Sequence, residues 1–360
     1  MACSGHQTEG GNRRSDTWFL EHVRPTVFRE PSGQACNGYQ LWREDVDLVA
    51  ALGLDTYRFS VEWARVEPTE GQFSAEALAH YRAIIDRCLA AGIAPVVTYN
   101  HMTSPHWFAL RGGWLDPRAP AVFARYCDVV TERLGDGIAW AVTLNEPNLP
   151  RLLSWLDIPG AVRELERATL LAASEQAGVP RYRVANVMLP EEMEAMADGM
   201  AAGHRAARDA IKARRPELPV GFSVAIVDDQ VVGDDASVRD RKRAEVYGRW
   251  LALARDDRVR EQWPAVVPGD RDRARPRRRA ADPADARGRG RHGAAGAEHP
   301  ARQGAQRGRG DRRTGARAGR DPLLERRERR AWHRPALDRV PARPISTGRP
   351  FAWTWRARPA

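Results

Sequence analysis

The sequence holds only four cysteines, Cys3, Cys36, Cys88 and Cys127, and none stands in a Cys-x-x-Cys pair or at a metal-ligand spacing. That scatter argues against a metal centre and points to a reduced, cytoplasmic setting. The first ten residues lack an apolar signal core, so no secretory leader is expected. No stretch approaches the roughly 18 to 20 apolar residues that cross a bilayer, and the body is read as soluble, without a membrane partner. No Gly-x-Gly-x-x-Gly or Gly-x-x-x-x-Gly-Lys follows a strand-like run, which removes the dinucleotide and phosphate-loop readings. Lysine is absent from residues 261–360, which nonetheless carry 26 Arg against 11 Asp or Glu. The balance there is +15 in a chain of +10, so the first 260 residues come to −5 and an acidic body carries a very basic tail.

At 360 residues the chain is long enough for one large core or for two domains. Four short apolar runs, Thr56 to Trp63, Ala94 to His101, Ile138 to Glu146 and Val220 to Val227, are rich in β-branched and aromatic residues, as strands buried on both faces are. Helical spacing lies between them. Leu78, Tyr81, Ile84, Ile85 and Leu89 follow Ser74 as N-cap and end before Gly92. Asp116-Pro117 opens a second helix with Val122, Phe123, Tyr126, Val129, Val130 and Leu134 on one face, closing near Gly135. Alternating strands and helices imply a parallel sheet. That sheet is either doubly wound or closed into a barrel, and polar residues clustered after several strands favour an α/β barrel, spanning residues 1–257. From about Arg258 the texture becomes Arg, Ala, Gly, Asp, Gln and Pro, which cannot bury enough apolar surface to offset ordering entropy. Residues 258–360 are therefore expected to be a disordered tail.

Leu144-Asn145-Glu146-Pro147 ends the run from Ile138 with an amide, a carboxylate and a helix-breaking proline. In a barrel of parallel strands, side chains just past the carboxyl ends point into the substrate site, so a carboxylate there is placed for chemistry. A carboxylic acid there can protonate a leaving oxygen. Burial and a negative neighbour are what let an acid of this kind keep its proton near neutral pH. Taken singly these residues are bland: Asn-Glu-Pro is a common helix-entry turn, a histidine at a strand end is commonly structural, and tryptophans such as Trp107 and Trp114 pack cores by default.

Taken in order, segments within residues 7 to about 227 resemble glycoside hydrolase family 1, the retaining β-glycosidases of the β-glucosidase type. Gln7-Thr8-Glu9-Gly10-Gly11 is similar to the end of the family's first strand, which implies that Gln7 holds sugar hydroxyls. Residues 37–68 are similar to the segment leading into the second strand and imply Arg58 beneath the catalytic carboxylates. Residues 99–105 resemble the third strand end, giving His101 as a sugar ligand. Thr143 to Asn148 resembles the fourth, with Asn145 on the sugar's 2-hydroxyl and Glu146 as acid/base. The resemblance implies a (β/α)8 barrel, here incomplete, with a β-glycoside or oligosaccharide as partner and neither metal nor organic cofactor; it leaves the oligomeric state open.

The resemblance stops at both ends. Met1 falls inside what should be the first strand, and beyond Asp257 no Glu-Asn-Gly nucleophile segment, sixth-strand tyrosine segment or late tryptophan loop follows, so no nucleophile is found. The tail has the texture of GC-rich coding DNA read out of frame. Arg327-Glu328-Arg329, encodable as CGA-GAA-CGG, gives Glu-Asn-Gly when read one nucleotide late. The chain as written is therefore expected to be inactive. Two other readings stand beside this one: a non-catalytic sugar-binding remnant, and a nucleic-acid arm in which arginine runs such as Arg287-Gly288-Arg289-Gly290 meet phosphates. Residues 264–331 lack interleaved aromatics, which argues against the arm.

Overall fold

The computed structural model describes residues 1–233 and 235–261. Four strands, β1 (Thr56–Ser60), β2 (Ala94–Asn100), β3 (Trp140–Asn145) and β4 (Val220–Ser223), lie side by side in chain order and pair parallel throughout. Parallel neighbours need long crossovers, and helices supply them. In chain order the helices are α1 (Gly5–Thr8), α2 (Asp16–His22), α3 (Gly38–Ala51), α4 (Trp63–Val66), α5 (Ala75–Ala90) and α6 (His106–Leu110). They continue with α7 (Ala119–Leu134), α8 (Leu149–Leu153), α9 (Gly160–Ala177), α10 (Met193–Arg214) and α11 (Ser237–Glu261). Residues 1–3 run along β1, where Cys3 N donates to Arg58 O at 2.9 Å and Arg58 N to Met1 O at 2.8 Å.

The sheet turns one face to the helices and the other to the site. Toward the helices, Tyr57, Phe59, Val97, Tyr99 and Ala141 pack in one core with the apolar faces of α5 and α7. Trp63 sits fully buried among Phe108, Phe123 and Tyr126, with ring centroids 4.9, 5.5 and 4.9 Å away. Trp114, 2% exposed, stands edge-on to Phe108 and Phe123, so it is a core residue. Helix α10 comes so close to it that a Cβ on Gly199 would lie 2.1 Å from the Trp114 carbonyl oxygen.

The Ser74 cap forms as expected, its Oγ accepting from Ala77 N at 3.1 Å, and Gly92 takes φ +72° past the end of α5. The second helix starts at Ala119 rather than at Asp116-Pro117. The Asp116 carboxylate accepts Arg118 N at 2.9 Å, and that turn postpones the helix. All four strands end earlier than the apolar runs suggest, β1 and β4 by the most. After Ser60 the chain folds into α4, although Val61 N still reaches Thr98 O at 2.9 Å. Beyond Ser223 no backbone ladder continues, because β3 has already ended ahead of Pro147. The Asn148 carboxamide takes its place, donating to Ala225 O at 2.8 Å and accepting from Ala225 N at 2.9 Å. Helix α11 runs on to Glu261; the expectation for the tail beyond it lies outside the described residues.

Candidate active site

The apolar run of β3 delivers Asn145, 6% exposed, and then Glu146, half-buried, at the strand's carboxyl end. Glu146 has φ +46°, the left-handed region that a non-glycine side chain enters only under constraint. The constraint is visible: Glu146 N donates to the Ser223 carbonyl oxygen at 3.0 Å and to its Oγ at 3.3 Å. Beside them, Arg58 of β1 reaches across the sheet. Its Nε donates to Thr98 Oγ1 at 2.8 Å, and its Nη2 donates to Asn145 Oδ1 at 2.6 Å and to Ser223 Oγ at 3.2 Å. Burial disfavours the guanidinium's charge, and the Glu146 carboxylate opposes that. Arg58, Asn145 and Glu146 thus form one cluster at the carboxyl ends of the strands.

His101 follows β2 directly. Its Nδ1 is buried without a protein partner, and burial, helped by Arg58, pulls the ring down to about 4, so it is neutral at physiological pH and offers one donor and one acceptor. A shallow hollow adjoins Asn145 and Glu146, walled largely by Met102, Pro147, Pro150, Met188 and Met200. Gln7 is placed differently from the expectation. Residues 5–8 are a helical turn rather than a strand end, closed by Thr8 N donating to Ser4 O and Glu9 N to Gly5 O. The exposed Gln7 side chain accepts from Ser4 Oγ at 2.8 Å and makes no hydrogen bond to Arg58, Asn145 or Glu146. Ser223 and Thr98 belong to the cluster and were not legible as site residues. Their one signal is a lone hydroxyl in an apolar strand facing an arginine that needs acceptors.

A second constellation deserves exclusion. Thr143 Oγ1 lies 2.6 Å from His204 Nδ1, and His204 Nε2 lies 2.8 Å from Asp257 Oδ2. The order copies a nucleophile, base and orienting acid, yet Thr143 and His204 are 0% exposed and sit on the helix side of the sheet. No substrate reaches them; they tie α11 and α10 to the strand that carries Glu146. Among the described residues no group of three His, Cys, Asp or Glu is placed to hold a metal ion.

Behind the Gln7 turn and the His101 loop lies a buried acidic layer. Burial and the neighbouring Glu62 push Glu9 up to about 8, against Arg65 and a Tyr81 hydrogen bond. Burial pushes Asp16 up to about 7 although its Oδ1 accepts from Thr17 N, Thr17 Oγ1 and Ser104 N. Both groups bind a proton more tightly folded than unfolded. Their contribution to stability is therefore complete below the ordinary 3.8 to 4.5 and is lost as pH rises through about 7 to 8. One unit is worth about 1.4 kcal/mol, and even half of the Asp16 shift amounts to about 2 kcal/mol. Urea unfolding should show greater stability near pH 5 than near pH 8, and Asp16→Asn should flatten that slope. An unchanged slope in the variant would remove Asp16 as its source.

The acid-bearing motif stands where the active-site residues of α/β barrels stand, at the carboxyl ends of a parallel sheet wrapped by helices. Residues 2–169 match the model of glycosyl hydrolase family 1. Beta-glucosidase A of Thermotoga maritima is 40% identical over 154 residues, 41% of this chain and 34% of that protein. A probable inactive beta-glucosidase 14 of Oryza sativa subsp. japonica is 35% identical over 165 residues, 43% of this chain and 32% of that protein. Among solved structures, an apo beta-glucosidase 1317 aligns with TM-score 0.67 and 35% identity, over 70% of this chain and 62% of its own. The chain spans about a third of the length of the curated relatives it matches. The described fold is a section of the (β/α)8 barrel of these enzymes.

Proposed function

We propose that the described residues are the acid/base side of a retaining β-glycosidase of the β-glucosidase type, and that the chain as written binds β-glycosides without cleaving them. The observation that carries this reading is the Arg58–Asn145–Glu146 cluster, one carboxylate beside one amide donor and one fixed cation. Glu146 protonates the leaving oxygen, Asn145 meets the sugar's 2-hydroxyl, His101 and Gln7 take further hydroxyls, and Arg58 balances the charge. Retaining hydrolysis also requires a second carboxylate opposite the acid. Among the described residues Glu146 is the one carboxylate whose charge bears on Arg58, and the sequence contains no Glu-Asn-Gly. A β-glycoside or short oligosaccharide is the ligand, and the scattered, unpaired cysteines suit a reducing, cytosolic compartment.

Calorimetric titration of the 360-residue chain with an aryl β-glucoside tests this. Saturable binding that Asn145→Ala weakens, with aglycone release no faster than in buffer, is the expected result. Absence of binding would overturn the reading of the site. Release of aglycone abolished by Glu146→Gln would overturn the claim of inactivity.

A further inference from the structure

Ser223 is paired directly across from Asn145 in the β3–β4 register, and its hydroxyl has three polar neighbours. Two of them only donate: Arg58 Nη2 at 3.2 Å and the Glu146 N–H at 3.3 Å. The third, Asn145 Oδ1 at 2.9 Å, accepts. The Ser223 proton therefore has one destination, since a guanidinium and an amide N–H offer it no lone pair. Asn145 Oδ1 then receives two donors, Ser223 Oγ–H and Arg58 Nη2–H at 2.6 Å, which fixes the oxygen end of the carboxamide against the protein. Among the described residues Nδ2 donates to nothing, so the two N–H bonds are what Asn145 presents.

We infer that Ser223 is a positioning residue that sets the carboxamide of Asn145, so that the site shows a hydrogen-bond donor, never an acceptor, to the ligand atom beside Glu146. The inference rests on the β-glycoside reading for its ligand but not for its geometry. It specifies what that atom must be: an oxygen that accepts. A sugar carrying a hydroxyl there fits by turning its proton elsewhere. An ammonium group, a donor without a lone pair, finds no acceptor on Asn145. The same serine holds the Glu146 backbone through its carbonyl, so one strand residue sets both the amide and the turn that carries the acid.

The experiment compares Ser223→Ala and Ser223→Thr with the unaltered 360-residue chain. The first readout is the Asn145 side-chain amide in a ¹⁵N–¹H spectrum, assigned by its loss in Asn145→Ala. Ser223→Ala should shift or broaden it, whereas Ser223→Thr, which keeps the hydroxyl, should leave it near its original position. The second readout is calorimetric affinity for an aryl β-glucoside and for its 2-deoxy and 2-amino counterparts. Loss of one net hydrogen bond corresponds to about fivefold weaker binding. Ser223→Ala should weaken the glucoside by about that factor and leave the 2-deoxy compound unchanged, because the serine acts through the group that compound lacks. It should also narrow the gap between glucoside and 2-ammonium sugar. An unmoved amide signal in Ser223→Ala, or equal weakening of glucoside and 2-deoxy compound, would overturn the inference. A moved amide signal in a chain that binds none of these sugars would leave Ser223's role standing and defeat the β-glycoside reading alone.

Discussion

Restoring a Glu-Asn-Gly segment should turn the chain from a binder into a hydrolase, with a gain of about 10⁴-fold or more, since a catalytic set that acts as a unit loses nearly everything when one member is absent. The route is specific. If the coding DNA carries a one-nucleotide slip after about codon 257, correcting it reads Arg327-Glu328-Arg329 as Glu-Asn-Gly, and the repaired enzyme should release aglycone from an aryl β-glucoside. Glu146→Gln should then slow it, by about 10² to 10⁴, the range for a positioned general acid. Sequencing the DNA and assaying both frames decides the matter. A DNA sequence with no slip, or a corrected chain that remains silent, would refute the proposal.

Gly199→Ala should cost the fold about 2 kcal/mol or more even though alanine is the better helix former. Replacing a mid-helix glycine stabilises by about 1 kcal/mol when space is free. At position 199 of α10 the new methyl would lie 2.1 Å from the Trp114 carbonyl oxygen and 3.1 Å from its carbon, and a backbone carbonyl cannot swing aside as a side chain does. Overlap wins, and α10 must lift from the core. Gly248 of α11 has nothing within 4 Å of the same methyl, so Gly248→Ala should go the other way. Thermal melts of the two variants should bracket the unaltered chain, Gly199→Ala well below it and Gly248→Ala slightly above. Matching signs would mean that helix propensity, not clearance, governs both sites.

The parts of this architecture that were readable in the sequence are those where one residue type has few uses. Asn145-Glu146-Pro147 after an apolar run, and Arg58 inside another, announce a strand end with chemistry on it, and the parallel sheet follows from the spacing of runs and helical faces. Strand lengths were less legible, because apolar character persists where pairing stops. Val224 to Val227 read as strand, but Ala225 pairs with the Asn148 side chain and Val227 N donates to the Tyr247 hydroxyl, which no periodicity reveals. Gln7 is expected at a strand end only because residues 7–11 resemble that segment of the family. Ser4 and Thr8 instead close a helical turn around it. Ser223 escaped notice because a single hydroxyl in a strand is common and only the register puts it opposite Asn145.

The left-handed backbone at Glu146 bears on the evolution of the chain. A side chain in that conformation costs roughly 1 to 2 kcal/mol relative to glycine, and only a use for the carboxylate offsets it. While glycosides are being cleaved, selection holds a glutamate there against the preference of the fold. In a lineage released from that demand, stability alone acts on position 146, and the substitutions it favours are glycine and asparagine, each of which removes the acid and relaxes the turn in one step.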